Sequence, residues 1–379
     1  MNSITEERLF AEFAPADDEA WRKAAEESLN GAPFEKKLIT KTPEGIDLQP
    51  IYSRTSVPPP AWQFRPPGFA PYVRGSEPLG HREQAWLICQ QPAGSSLEEV
   101  NRTLLDDLNR GQNAVLLRLD PATRLGIAPV AAGMGLPLGS LADLRKVLEG
   151  VALDAVPVMV PAGLAALPVT AALVSLLRER ELEPRVLRGA VLADPVSEWA
   201  RQGRLPGGLD AAIDQMATLV NWTKSAGSPL RVIGIDASLW GDCGGTAVQE
   251  LAFGLALGVD YLRLLDAKGV SIDDAASRVV FTWSLGSHVF METAKLRAAR
   301  LLWSRAVAAA GGNEASQRLV SHGRATIWNK TLLDAHNNIL RSTTEAFAAV
   351  VGGCDSIELA LFDVARGAPT ELSRRLARN

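Results

Sequence analysis

Few residues in this chain carry chemistry on their face. His81, His288, His322 and His336 are scattered, and none pairs with another histidine or a cysteine at metal-ligand spacing. Each reads as a structural or surface histidine. Cys89, Cys243 and Cys354 lie far apart without a C-x-x-C step, which suits free thiols in a cytoplasmic setting. The run Gly133-Met134-Gly135-Leu136-Pro137-Leu138-Gly139 is glycine-rich, but its spacing is not G-x-G-x-x-G and Pro137 stands where a helix would begin. It reads as a plain loop. Asp236 and Asp242, near a predicted strand end, and Arg263 on another predicted strand could form a small polar site. The same residues could serve as helix caps or loop anchors.

The elements that must position these groups have a regular rhythm from residue 85. Short apolar runs occupy Ala85–Gln91, Ala114–Leu119, Gly150–Leu153, Val156–Val160, Arg188–Ala193, Arg231–Ala237, Asp260–Leu264 and Arg278–Trp283. Amphipathic stretches separate most of them, among them Leu97–Arg110, Leu141–Leu148, Ala165–Arg180, Leu209–Ala226 and Thr246–Leu257. Continuous apolar strands alternating with helices predict a covered parallel sheet, and eight of them predict a closed (β/α)8 TIM barrel of the α/β class. Further helices are expected over Val289–Ala310, Asn338–Val351 and Glu371–Asn379. Arg324–Trp328 and Ser356–Leu361 bracket the second of these.

Residues 1–31 read as helical up to Asn30-Gly31, and Leu38–Tyr52 as two extended pieces around a turn at Thr42-Pro43-Glu44-Gly45. Residues 57–75 are rich in proline, with Trp62, Phe64, Phe69 and Tyr72 interleaved. That stretch is either an extended arm laying rings on a partner or a loop packed on its own domain. The expected division is therefore an arm over 1–75 and a barrel over 76–379. A net charge of −4 with mixed signs gives no nucleic-acid footprint, and no apolar run is long enough to span a bilayer. With 47% apolar residues the chain can bury a sizeable core.

Several phrases resemble the methylmalonyl-CoA mutase family. They are Leu38–Tyr52 (LITKTPEGIDLQPIY), Pro71–Gly75, Arg188–Gly203 (RGAVLADPVSEWARQG), Val248–Arg263, Met291–Trp303 and Thr343–Phe362. The resemblance implies a barrel that threads an acyl-CoA and whose open mouth faces a cobalamin domain. It also implies that adenosylcobalamin performs the radical step interconverting methylmalonyl-CoA and succinyl-CoA.

The chain departs from the family where substrate is held. Where catalytic relatives read W-T-I-R-Q-Y, this chain reads Trp86-Leu87-Ile88-Cys89-Gln90-Gln91, with Gln91 in place of the tyrosine. Leu192 replaces the glutamine of a G-T-I-Q-N-D phrase. Ser238 to Gly245, including Trp240 and Asp242, lacks the Tyr-His pair. Gln91, Leu192, Trp240 and Asp242 are thus the expected vestigial substrate positions, in an apolar lining that would leave a substrate carboxylate unpaired. Asp334-Ala335-His336 begins like the D-x-H-x-x-G cobalamin-ligand motif, but Ile339 stands at the glycine. The resemblance implies no catalytic residue and no cofactor on this chain. It points to a small, non-catalytic subunit partnered by a large cobalamin-bearing mutase chain. The alternative is an active component that takes a different acyl-CoA and uses cobalamin on a separate protein.

Overall fold

The computed structural model describes residues 12, 17–53, 60, 64–82, 85–128, 135–367 and 369–379. Trp62, Gly133 and Met134 lie outside them. The chain divides into two compact units, Met1–Ala61 and Trp62–Asn379.

In the first unit a helix spans Asp18–Ser28, where the Asp17 side chain accepts from the Ala20 N–H at 2.7 Å and so caps one of the free donors of the first turn. Trp21 meets Phe34 edge to face at 6.1 Å. Thr40–Lys41 and Asp47–Leu48 pair antiparallel around the expected turn. There the Thr42 carbonyl accepts from Gly45, whose φ of 80° is one that glycine adopts without strain.

The second unit is a closed barrel of parallel strands. They are β1 (Leu87–Gln90), β2 (Ala114–Leu116), β3 (Val158–Pro161), β4 (Gly189–Ala193), β5 (Arg231–Asp236), β6 (Val279–Leu285), β7 (Ser321–Ala325) and β8 (Ser356–Glu358), with β8 pairing back onto β1. Helices Leu97–Asn109, Leu141–Val147, Ala166–Glu179, Gly208–Ser225, Ala247–Ala267, Val289–Ala309, Asn337–Gly352 and Glu371–Arg378 follow the strands in turn. The (β/α)8 expectation holds, although two strands are not those read from the sequence. Gly150–Leu153 is an irregular segment leading into β3, and Asp260–Leu264 lies within the Ala247–Ala267 helix. That run is apolar because Tyr261, Leu262 and Leu265 form the helix's buried stripe, a pattern a short window does not separate from a strand. The strands in their place are β7 and β8.

Alternation along each strand sorts the side chains into two populations. Val115, Leu117, Val158, Val160, Val191, Phe281 and Trp283 face the helices and join one continuous core. Phe281 stacks on Trp283 at 5.4 Å and meets Trp303 edge-on at 5.0 Å. The opposite set faces the barrel axis. Cys89, Ala114, Leu116 and Met159 form one buried cluster with Leu87 against it, and Ala190, Leu192 and Val280 form another.

The aromatic stretch divides. Phe64 and Phe69 are exposed, whereas Tyr72 is 1% exposed and its hydroxyl donates to the Glu314 carbonyl at 2.9 Å. The buried Arg300 guanidinium donates to the carbonyls of Tyr72 (3.0 Å) and Val73 (3.1 Å). Tyr72 is therefore held by its own barrel and offers no surface to a partner.

Candidate functional site at the barrel mouth

In barrels of this kind the carboxyl ends of the strands present the reactive face. Here those ends bear charge. Arg118, two residues past β2, donates through Nε to Glu358 Oε1 at 3.1 Å and forms a second, close contact to the other carboxylate oxygen. Glu358 ends β8. His322 on β7 reaches the same carboxylate at 3.6 Å through Nε2, and its Nδ1 shares a 2.8 Å hydrogen bond with Ser356.

Across the axis, Asp236 at the end of β5 pairs with Arg201 and accepts from the Ser238 hydroxyl. Arg324 on β7 donates to Ser238 Oγ at 2.9 Å and pairs with Asp242, which also accepts from Thr326 at 2.8 Å. Glu198 bridges Arg124 (3.0 Å) and Arg201 (3.1 Å). Arg118, Arg124, Arg201 and Arg324 thus meet Glu198, Asp236, Asp242 and Glu358, four cations against four anions, each arginine already on a carboxylate.

The titration behaviour follows from this pairing. Burial alone would raise the Asp236 carboxyl, but Arg201, Arg324 and the Ser238 hydroxyl bring it down to about 2. Burial likewise opposes ionisation of Glu358, and Arg118 with His322 outweighs it, holding the carboxyl well below the usual range. Asp194, just past β4, behaves oppositely. Among the described residues it has no cation in contact, and burial pushes it up to about 6 against the hydrogen bonds from Ser197 and Tyr261 and from the Asp236 N–H.

A second buried group lies behind the mouth. Lys295 Nζ sits 2.7 Å from each of Glu250 and Glu292 and donates to the Ser284 carbonyl. Glu250 in turn accepts from the Ser284 N–H and hydroxyl, fixing the end of β6.

Of the positions expected from the sequence, Asp242 joins the network and so does Asp236. Gln91 is half-buried and gives only its carbonyl, to Arg374 at 3.0 Å. Leu192 is packed on the axis, and Trp240 leans on Phe253 at 5.1 Å. Arg263 is on an outer helix, exposed and 3.6 Å from Asp260, so it takes no part. The expected apolar lining is corrected as well: apolar side chains fill the axis, but the mouth is charged and internally neutralised. Arg118, Arg201, Arg324 and Glu358 were missed because Arg118 is a single charge inside an apolar run, Arg201 lies past one, and Arg324 and Glu358 are on β7 and β8, whose polar residues hid those strands. Two surface clefts, one around Arg145, Gly150 and Arg180 and one around Ile127, Leu138 and Val169, are lined by helix and loop residues and touch no member of the network. His336 is exposed at the start of the Asn337–Gly352 helix, its ring stacked on Phe362 at 5.3 Å.

A family model described as methylmalonyl-CoA mutase matches residues 41–379. The chain belongs to the methylmalonyl-CoA mutase family. The mutase large subunit of Streptomyces virginiae is 33% identical to it, over 95% of this chain and 50% of that one. The mutase small subunit of the same organism is also 33% identical, over 98% of this chain and 58% of that one. The methylmalonyl-CoA mutase of Escherichia coli K12 is 32% identical over 90% of this chain and 49% of its own length. The chain spans about half the length of the curated relatives it matches. Among solved structures, the L-Ala-D/L-Glu epimerase of Bacillus subtilis aligns over 76% of this chain and 56% of its own, at 12% identity and a TM-score of 0.36. Large and small mutase subunits resemble the chain equally, so overall identity does not separate the two roles. Leu87 and Cys89 on β1 both pack among apolar neighbours. Among the described residues no helix is long and apolar enough to cross a membrane.

Proposed function

We propose that this chain is a small-subunit-like, non-catalytic barrel of a methylmalonyl-CoA mutase. It would support a large chain that carries adenosylcobalamin and interconverts methylmalonyl-CoA and succinyl-CoA. The observation that carries this reading is the state of the barrel's charges. A substrate carboxylate needs a free cation in a dry site. Each arginine at this mouth is already on a carboxylate, and below them Leu87, Cys89, Leu116, Met159 and Leu192 pack the axis a thioester would thread.

In this reading adenosylcobalamin sits on the partner, and His336 of this chain is a structural histidine. Its imidazole is stacked on the chain's own Phe362, and Ile339 occupies the position at which the ligand motif has glycine. The rim around the mouth supports a protein partner. Trp199, Phe253, Phe290, Trp328 and Leu333 are all exposed, and all lie on helices or loops that follow the strands at this end. An apolar rim of that extent suits contact with a covering domain.

Four arginines at one mouth also favour a second reading. In it the chain is an active component that takes another acyl-CoA and draws cobalamin from a separate protein. Titration of the isolated chain with succinyl-CoA separates the two. The first reading expects no saturable heat. Saturable binding, with turnover once a cobalamin-loaded protein is added, would establish the second.

A further inference from the structure

Strand register brings a small set of inward side chains to one corner of the mouth. Glu358 of β8 lies beside Cys89 of β1 and Arg324 of β7, and Ser356 lies beside His322. Arg118 reaches the same corner from just past β2. The ion pairs of the mouth fall into two groups. One runs unbroken from Arg124 through Glu198, Arg201 and Asp236 to the Arg324–Asp242 pair, linked at the last step by the Ser238 hydroxyl. Its members share partners. The other is Arg118 with Glu358, and among the described residues Arg118 pairs with no other carboxylate.

This second group is only partly satisfied. Glu358 takes both contacts of the guanidinium fork, one of them from Nε at 3.1 Å, which is how arginine grips a free carboxylate. His322 gains less. Its ring is 2% exposed, and Ser356 holds Nδ1 at 2.8 Å. Nε2 faces the Glu358 carboxylate at 3.6 Å, too far for a hydrogen bond, and among the described residues it has no other partner. An anion opposite a ring nitrogen favours a proton on that nitrogen, so Nε2 is a buried donor aimed at a carboxylate that stops short of it. Leaving such a donor unused costs free energy. Glu358 is tethered to β8, and where Arg118 holds it, it does not reach His322.

We infer that Arg118 and His322 form a binding site for a small aliphatic carboxylate, and that the chain fills this site with its own Glu358. A carboxylate free of the backbone could sit on the guanidinium fork and accept from Nε2 as well. Cys89 and Leu116 pack just below on the axis, apolar surface suited to a short alkyl chain. The corner is open to solutes, since the Arg118 and Glu358 side chains are 25% and 14% exposed. Arg118 keeps Glu358 ionised into strongly acid solution, so loss of the side chain, and not acid, is what would vacate the site. The mouth thus lacks a vacant carboxylate site because one residue occupies it, while the groups that would bind a ligand remain. The inference goes beyond the supporting-subunit reading and does not depend on it.

The test uses the full chain carrying Glu358→Ala, with sodium propionate as the probe. The variant should melt below the wild type, because a buried cation has lost its partner. Propionate should raise its melting temperature saturably, with half-saturation on the order of 1 mM for so small a ligand. Sodium chloride at equal ionic strength should not. The His322 ring nitrogen resonance should move with the same half-saturation, since Nε2 gains its missing acceptor. Adding Arg118→Met to the variant should weaken propionate at least about tenfold. The wild type should respond to propionate no more than to chloride. A saturable response of the wild type, chloride matching propionate in the variant, or a His322 signal that stays put would each overturn the inference. If Glu358→Ala does not fold alone, refolding in propionate should recover it and refolding in chloride should not. Recovery in both, or in neither, overturns the inference as well.

Discussion

Asp194 and Asp236 lie side by side at the mouth and titrate in opposite senses. The Asp236 N–H donates to Asp194 at 2.8 Å, so the two carboxylates share one corner of the site. Asp236 is drawn down by Arg201 and Arg324 to about 2. A free aspartate titrates near about 3.9, so the stability Asp236 contributes is complete above that value and is lost as pH falls toward 2. For Asp194, burial sets a folded value of about 6. Its native state keeps a proton that the unfolded chain has released above about 3.9. Its favourable contribution is therefore full below that value and is lost as pH rises through 6. The difference of about two units corresponds to at most about 3 kcal/mol. Urea unfolding from pH 4 to 7 should show the wild type losing stability across this interval and Asp194→Asn losing less. Equal slopes for the two proteins would mean that Asp194 is ionised throughout. The sequence showed Asp194 within a family phrase and Asp236 at a strand end, but not that one has cations in contact and the other has none. That depends on Arg201 and Arg324, which are distant in the chain.

At the scale of elements, helices were far more legible than strands. Leu97–Asn109, Ala166–Glu179, Gly208–Ser225, Val289–Ala309 and Asn337–Gly352 all lie within a residue or two of their sequence reading, Val289–Ala309 because alanine, leucine and arginine favour helix and the others because apolar residues recur near helical spacing. The two unread strands carry part of the site. β7 is Ser321-His322-Gly323-Arg324-Ala325, with its inward positions given to the ion-pair network, so it has no apolar run to find. β8 places Ser356 and Glu358 inward for the same reason. The proline-rich stretch is a different case, since its composition suits an arm and a packed loop equally. Arg300 decides for residues 72–73, with its buried guanidinium on two of their carbonyls and on that of Gly353 at 3.4 Å. Arg300→Met keeps much of the volume and removes all three hydrogen bonds. The substitution should cost about 3 kcal/mol or more, because hydrogen bonds to a charged group are lost and buried carbonyls are left without partners. Limited proteolysis should then cut near residues 64–75 well before the barrel, and protection equal to the wild type's would show that Tyr72 and its Glu314 contact suffice.

For the molecule as a whole, the barrel's two ends of exposure point the same way. The mouth is electrically closed, with its arginines and carboxylates satisfying one another, yet its rim is apolar. Phe290, second residue of the helix after β6, is 85% exposed, and Trp328 just after β7 is 69% exposed. A closed network does not recruit an anion, while an apolar rim does recruit a covering surface. The isolated chain should therefore self-associate as its concentration rises. Phe290→Ser with Trp328→Ser should suppress that association without lowering the melting temperature, because neither side chain is part of the buried core. In the mixed complex the same pair should reduce mutase turnover by the large chain, since the rim would no longer seat the domain that covers the mouth. Sedimentation velocity over a concentration series gives the first readout and coupled turnover assays the second. A variant that self-associates as strongly as the wild type and supports full turnover would show that the rim is merely wetted surface. The partner would then be held by contacts elsewhere on the chain.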